Sequence, residues 1–190
     1  MKYEVIDNFL DKEYFDSLVT FFFDGQMSWR MITDFVEKTE IQNKLFLMWH
    51  DIYSGWMPRS PAFDKILPLL NKLEADGLLR IKANLYPSSE TLQEHIMHVD
   101  FDYSHCTALF SLNTCDGYTK LKDGTKINSV ANRVLLFDAS EEHCSTTTTN
   151  VSARINININ YIQYQTKEQK KNASTQTFDY SGRGESPNNE

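Results

Sequence analysis

The chain has 190 residues, 41% hydrophobic and 24% charged, with a formal net charge of −7. That length and apolar fraction fit one domain with a real core and are short for two. The acidic balance argues against a broad nucleic-acid footprint, which needs basic surface to displace counterions. No apolar run approaches the ~20 residues of a membrane span, and the N-terminus lacks a signal-peptide pattern. Cys106, Cys115 and Cys144 are odd in number without CxxC spacing, so they read as free thiols in a reducing, cytoplasmic setting.

In chain order, Tyr3 to Ile6 reads as a short strand. Asp11 is the expected N-cap of a helix over about 12–23, with Phe15, Leu18, Val19 and Phe22 as its apolar stripe. Residues 27–59 hold all three tryptophans, Trp29, Trp49 and Trp56. Met27 to Ile32 is a candidate strand, and Leu45 to His50 is either a strand or a turn of helix. The aromatic cluster fits a substrate entrance or a lid over a small core. Ser60-Pro61 marks a helix start, with Ser60 as cap and Pro61 at the first helical position. That helix is expected to reach about Ala75 and to stop at Gly77, burying Phe63, Ile66, Leu67, Leu70 and Leu73.

From Leu78 onward strands dominate. The expected series is Leu79–Tyr86, His105–Asn113, a hairpin bracketed by Asp116-Gly117 and Asp123-Gly124, Asn132–Asp138, Cys144–Thr149 and Val151–Gln163. Many short antiparallel strands with frequent turns imply a mainly β sandwich or jelly roll with flanking helices. We expect a single domain over 1–165, with a helical and aromatic part at 1–77 and the strand-rich core at 78–165. Residues 166–190 are polar and read as a flexible tail.

His98 and Asp100 lie two residues apart, so on extended chain their side chains share a face. With His143 they make two imidazoles and one carboxylate, a set that holds octahedral Fe(II) on one side and leaves three positions open. Arg154 follows eleven residues after His143 in a strictly alternating run. Arg154, Asn156 and Asn158 fall on one face of that run; Ile155, Ile157 and Ile159 fall on the other.

This ordered set resembles the 2-oxoglutarate/Fe(II)-dependent dioxygenases. Tyr86-Pro87 ahead of His98, the Gly117-Tyr118-Thr119 element and the strand Asn132–Phe137 leading to His143 resemble the prolyl-hydroxylase-like branch. The resemblance covers about residues 82–163. It implies a double-stranded β-helix, the jelly roll of that family. It implies Fe(II) held by His98, Asp100 and His143, with 2-oxoglutarate and dioxygen as cosubstrates and ascorbate as a reductant. Arg154 would take the distal carboxylate of 2-oxoglutarate, which suits a guanidinium fork. Tyr86 would hydrogen-bond the cosubstrate, and Asn158 stands where that branch has a Thr.

The reaction implied is hydroxylation of a substrate C–H bond with succinate and carbon dioxide as coproducts, the substrate being a protein or peptide (prolyl) side chain. Alternatives are a small-metabolite or free amino acid hydroxylase, a metalloenzyme without 2-oxoglutarate, and a non-catalytic metal-binding jelly roll. The twelve-residue Tyr86–His98 interval, and Ser111 where a second cosubstrate-contacting Tyr is expected, depart from the prolyl-hydroxylase pattern. His95 and His105 read as structural, and Arg133 reads equally as a site residue or a salt-bridge partner.

Overall fold

The computed structural model describes residues 2–25, 27–31 and 45–164. The expected tail and Ile32 lie outside the described residues. The described elements run β1 (Tyr3–Ile6), α1 (Lys12–Phe23), β2 (Arg30–Met31), β3 (Met48–Ser54), β4 (Met57–Pro58), α2 (Ala62–Leu73), β5 (Gly77–Pro87), β6 (Cys106–Ser111), β7 (Tyr118–Leu121), β8 (Lys126–Asn128), β9 (Arg133–Asp138), β10 (His143–Ser145) and β11 (Ala153–Ile162). No helix among them is long and apolar enough to cross a membrane.

Two antiparallel sheets face each other. The major sheet is ordered β1-β9-β6-β11-β5-β3-β2, with β4 paired to β3, and the minor sheet is β10-β7-β8. Isolated bridges Ser88↔Thr148, Glu94↔Thr146 and His98↔His143 lay the segment 88–98 along the minor sheet. Of the sandwich and jelly roll that the strand series leaves open, this is the jelly roll that the resemblance implies.

The helices cover the outer face of the major sheet. Phe15, Leu18 and Phe22 of α1, and Ile66, Leu69 and Leu70 of α2, share one core with Ile81, Ala83, Phe110, Ile155, Ile157 and Ile159. Burying each such aliphatic side chain stabilises the fold by about 1.5–3 kcal/mol. A smaller cluster of Leu109, Leu121, Leu135 and Phe137 joins the two sheets, with the Phe137 ring 4.8 Å from that of His143.

Helix α1 starts as expected, with the Asp11 carboxylate accepting from the Tyr14 N–H at 3.0 Å. Helix α2 differs at both ends and on its face. Ser60 spends its hydroxyl on His50 Nε2 at 2.7 Å, so no side chain caps the helix, whose Ncap residue is Pro61. The chain leaves the helix at Glu74, in the left-handed region at φ 54°, and Gly77 opens β5 instead. Leu67 is 40% exposed and Leu69 is buried in its place, because a 3.6-residue period puts 62, 66, 69, 70 and 73 on one face. The strand options for Leu45–His50 resolve as β3, and Met27–Ile32 contributes only the two residues of β2.

Candidate active site

Two segments, the stretch 98–100 bridged to the minor sheet and β10, bring His98, Asp100 and His143 together. His98 and His143 form a closed backbone pair, each N–H donating to the other's carbonyl at 2.9 Å. Their rings stand 4.7 Å apart. One ligating atom from each of His98, Asp100 and His143 falls within 4.8 Å of the other two. His98 Nδ1 donates to the Ile96 carbonyl at 3.1 Å and His143 Nδ1 to the Glu141 carbonyl at 3.0 Å. A carbonyl only accepts, so both Nδ1 atoms carry the proton and both Nε2 lone pairs are free for a metal. Burial holds the His143 pKa below the ordinary histidine value, which keeps it neutral as ligation requires.

The Asp100 side chain is 1% exposed. Arg80 Nη2 donates to its Oδ1 at 2.8 Å and Asn158 Nδ2 to its Oδ2 at 2.9 Å. Burial alone would raise the Asp100 pKa. The charges of Lys82, His143 and Arg80, with the Asn158 hydrogen bond, hold it below the usual carboxylate value. The three residues therefore present an anionic oxygen and two neutral nitrogens in one small volume. This donor set fits a divalent iron with open positions.

Four residues back along β11 on the same face lies Arg154, 1% exposed. Its Nη1 donates to the Tyr118 carbonyl at 2.9 Å and its Nη2 to Thr119 Oγ1 at 2.9 Å. Its Nε is buried with no partner. Its electrostatic neighbours are Tyr86, Cys115 and Cys144, and no Asp or Glu is among them. Burial pulls its pKa below the ordinary arginine value. A buried guanidinium without a carboxylate is a costly arrangement that an anionic ligand would relieve. Gly117 makes room for it: a Cβ there would lie 2.9 Å from Arg154 Cδ and 2.6 Å from the Thr147 carbonyl.

Between Arg154 and the metal ligands runs a polar wall. Tyr86 pairs with Arg154 across β5 and β11, with the guanidinium 5.3 Å from its ring centre. Burial pushes the Tyr86 phenol pKa up, so it stays a hydroxyl. Asn84 donates to Asn156 at 3.0 Å, and Asn156 Nδ2 has no acceptor. Asn158 is committed to Asp100, and its own carbonyl accepts from Asn160 at 2.6 Å.

Other residues find plainer places. Arg133 is held by Asp7 through two hydrogen bonds, at 2.5 and 2.8 Å, and so ties β9 to the N-terminal strand. His105 contacts the Tyr103 carbonyl and Asn160. Cys144 is a buried core thiol, and all three cysteines are free. Trp29 packs edge-on against His50 at 6.4 Å. Met27, Ser28, Arg30, His50, Asp51 and Arg59 help line a cavity of about 800 Å³ on that flank.

The sequence sets His95 aside as structural and does not single out Arg80 or Lys82. His95 lies on irregular chain, so counting strand faces from His98 misplaces it. It is 8% exposed, with its ring 5.4 Å from Tyr86, and burial beside Arg154 and His98 lowers its pKa to about 4. Arg80 and Lys82 share the Tyr86 face of β5 by simple alternation, a signal that was present in the sequence.

No family model matches the chain, and no curated protein matches it either. Solved structures do. A 2-oxoglutarate-Fe(II) oxygenase family protein from Burkholderia pseudomallei is similar, with a TM-score of 0.60, 14% identity and coverage of 84% of each chain. A Trichoplax adhaerens prolyl hydroxylase, in complex with a peptide fragment of the hypoxia inducible factor oxygen degradation domain, gives 0.55 at 16% identity over 92% of this chain and 87% of its own. Streptomyces hygroscopicus HygX, with nickel and 2-oxoglutarate bound, gives 0.57 at 10% identity over 85% and 83%. The fold of this chain is that of the 2-oxoglutarate/Fe(II) oxygenases, prolyl hydroxylases among them.

Proposed function

We propose that the protein is a 2-oxoglutarate/Fe(II)-dependent dioxygenase that hydroxylates a C–H bond, with a protein or peptide side chain, prolyl in the first instance, as substrate. The observation that carries this reading is Arg154, fully buried with no Asp or Glu among the described residues that act on its charge, on the same strand face as the residue that anchors Asp100. A dicarboxylate with one end at His98, Asp100 and His143 and the other at Arg154 answers both halves of the site. Bound iron with its cosubstrate would supply the oxidising chemistry and activate dioxygen.

The chain's own residues orient these groups. His98 and His143 offer Nε2, fixed by their Nδ1–H bonds to backbone carbonyls. Asn158 and Arg80 hold the Asp100 carboxylate. Tyr86 walls the cosubstrate cleft beside Arg154 and keeps its hydroxyl proton. The peptide class draws support from the fold shared with the peptide-bound Trichoplax enzyme. The free thiols suit a reducing, cytoplasmic setting with ascorbate as the reductant.

The test is calorimetric binding of 2-oxoglutarate to anaerobic protein with and without Fe(II), beside His98→Ala. Iron-dependent binding that disappears in the variant is the expected result. No binding to folded, iron-loaded protein would remove the dioxygenase reading and favour a metal-binding module.

A further inference from the structure

Lys82 stands on β5 between Arg80 and Asn84, and the cores on either side of the sheet decide where it points. Ile81 and Ala83, its neighbours, are both 0% exposed in the helix-side core. Alternation therefore turns Lys82 to the opposite face, that of Tyr86 and Asn84. Its register partner on β11 is Asn158, the residue that holds Asp100. Lys82 thus faces the metal end of the cleft.

An ammonium in such a place is normally paired. Lys82 is not: among the described residues it makes no hydrogen bond and no ion pair, although the charge of Asp100 attracts it and those of Arg80 and His143 oppose it. Burial, with the repulsion of Arg80, lowers its pKa to about 8. Asp100 is already shared between Arg80 and Asn158. Asp51, opposite Lys82 on β3, makes no ion pair with it among the described residues; its Oδ2 accepts from Ser54 at 2.7 Å, and it lines the flanking cavity with Arg30 and Arg59.

Lys82 is also badly placed to hold the cosubstrate's distal carboxylate. Tyr86 marks the Arg154 end, and four residues of strand separate it from Lys82, roughly 13 Å. The metal ligands lie near the Lys82 end, so a five-carbon diacid seated on the metal and Arg154 uses up the acceptors at both of its ends. Lys82 then faces the reacting end as a cation that Asp100 attracts but that no carboxylate among the described residues hydrogen-bonds.

We propose that Lys82 selects the substrate by binding a carboxylate that the substrate carries close to the C–H bond to be oxidised. This rests on the dioxygenase reading and narrows it to anionic substrates. The carboxylate comes either from a free α-carboxyl group or from an acidic side chain beside the target residue in a peptide.

The experiment uses the full chain, anaerobic and loaded with Fe(II) and 2-oxoglutarate, and reads binding by calorimetry. Two matched panels serve as probes. One pairs N-acetyl amino acids, N-acetylproline included, with their carboxamides. The other pairs short blocked peptides carrying Glu or Asp beside a proline with their Gln or Asn counterparts.

The expected result is a preference of about tenfold or more for the carboxylate member in one panel, the size of a charge-assisted hydrogen bond. The responding panel identifies the source of the carboxylate. Lys82→Met should erase the preference in protein whose iron-dependent 2-oxoglutarate binding is verified beside it, and Lys82→Arg, which keeps the charge that acts on Asp100, should keep most of the preference. No preference in either panel, or a preference that survives Lys82→Met, overturns the proposal and leaves the dioxygenase reading standing. Loss of iron-dependent 2-oxoglutarate binding in the unaltered protein overturns both.

Discussion

The two faces of β11 are equally buried and could hardly differ more in kind. Ile155, Ile157 and Ile159 are 3%, 0% and 0% exposed; Arg154, Asn156, Asn158 and Asn160 are 1%, 0%, 3% and 0%. The isoleucine face is complete in itself, since dispersion and exclusion of water ask for no directional partner. The polar face is almost complete. Asn84 feeds Asn156, Asn160 feeds Asn158, Asn158 feeds Asp100, and Thr107 also reaches Asn160. What remains unspent is Arg154 Nε and Asn156 Nδ2. Burial therefore does not separate core from site in this molecule. Unspent hydrogen-bonding capacity does, and it collects where a ligand is wanted.

Substitutions on the two faces should split stability from binding. Arg154→Met removes a buried, unpaired charge, so the ligand-free protein should melt at the same temperature or higher. Its affinity for 2-oxoglutarate should fall about a thousandfold, the loss expected when one member of a buried charged pair is deleted. Calorimetry and thermal unfolding on the same sample check both halves; equal losses in both would make Arg154 a structural residue. Ile157→Ala should do the reverse. It should cost about 3 kcal/mol in chemical denaturation and leave 2-oxoglutarate affinity of the folded protein unchanged.

Between pH 6.5 and 4, acid should act on the cleft through its buried histidines. His95 titrates near 4 in the folded protein against an ordinary value of 6.5, so the fold favours its neutral form. That contribution is complete above about pH 6.5 and is lost as pH falls toward 4, amounting to about 3 kcal/mol. His143 is shifted in the same direction and adds to it. His95→Gln should flatten this part of the stability–pH curve; an unchanged slope between pH 6.5 and 4 would assign the acid loss to other groups.

Much of this site was legible in the sequence because β11 and β5 alternate cleanly. Arg154 and Asn158 are placed on one face by counting in twos, as are Tyr86, Lys82 and Arg80. The spacing of the turns leads to a sandwich or a jelly roll, and the family resemblance narrows this to the jelly roll. The ends of α2 were not legible, because Ser60 is drawn to His50 by tertiary contact and Glu74 takes a left-handed turn that favours glycine. His95 was not legible either, since the 88–98 segment follows the minor sheet through isolated bridges and carries no period. The partners of Asp100 lie 20 and 58 residues away, a pairing that only the closed sheet creates.

Gly117→Ala probes the seam between the two sheets. The new Cβ would meet the Thr147 backbone oxygen at 2.6 Å, where neither atom belongs to a flexible side chain. The strand must shift, at about 2 kcal/mol of stability. The same Cβ pushes on Arg154 Cδ, and Arg154 is bonded to the Tyr118 carbonyl and Thr119. Both stability and 2-oxoglutarate affinity should therefore fall, unlike Arg154→Met or Ile157→Ala, each of which moves only one of them. An alanine variant with native affinity would show that the guanidinium is not braced by this turn.

The smallest effect expected separates two roles for Asn158. Its amide donates to Asp100 Oδ2 and its carbonyl accepts from Asn160, so it orients the carboxylate that would hold iron. Removing such a supporting contact weakens metal binding by about tenfold. Asn158→Ala should therefore lower Fe(II) or Mn(II) affinity by that amount in the absence of any cosubstrate, and Asn158→Thr should recover part of it if its hydroxyl reaches Asp100. The opposite pattern, native metal affinity with weakened 2-oxoglutarate binding, would mean that the side chain leaves Asp100 and serves the cosubstrate directly. The two outcomes differ in which ligand responds first, so titrating metal before 2-oxoglutarate decides between them.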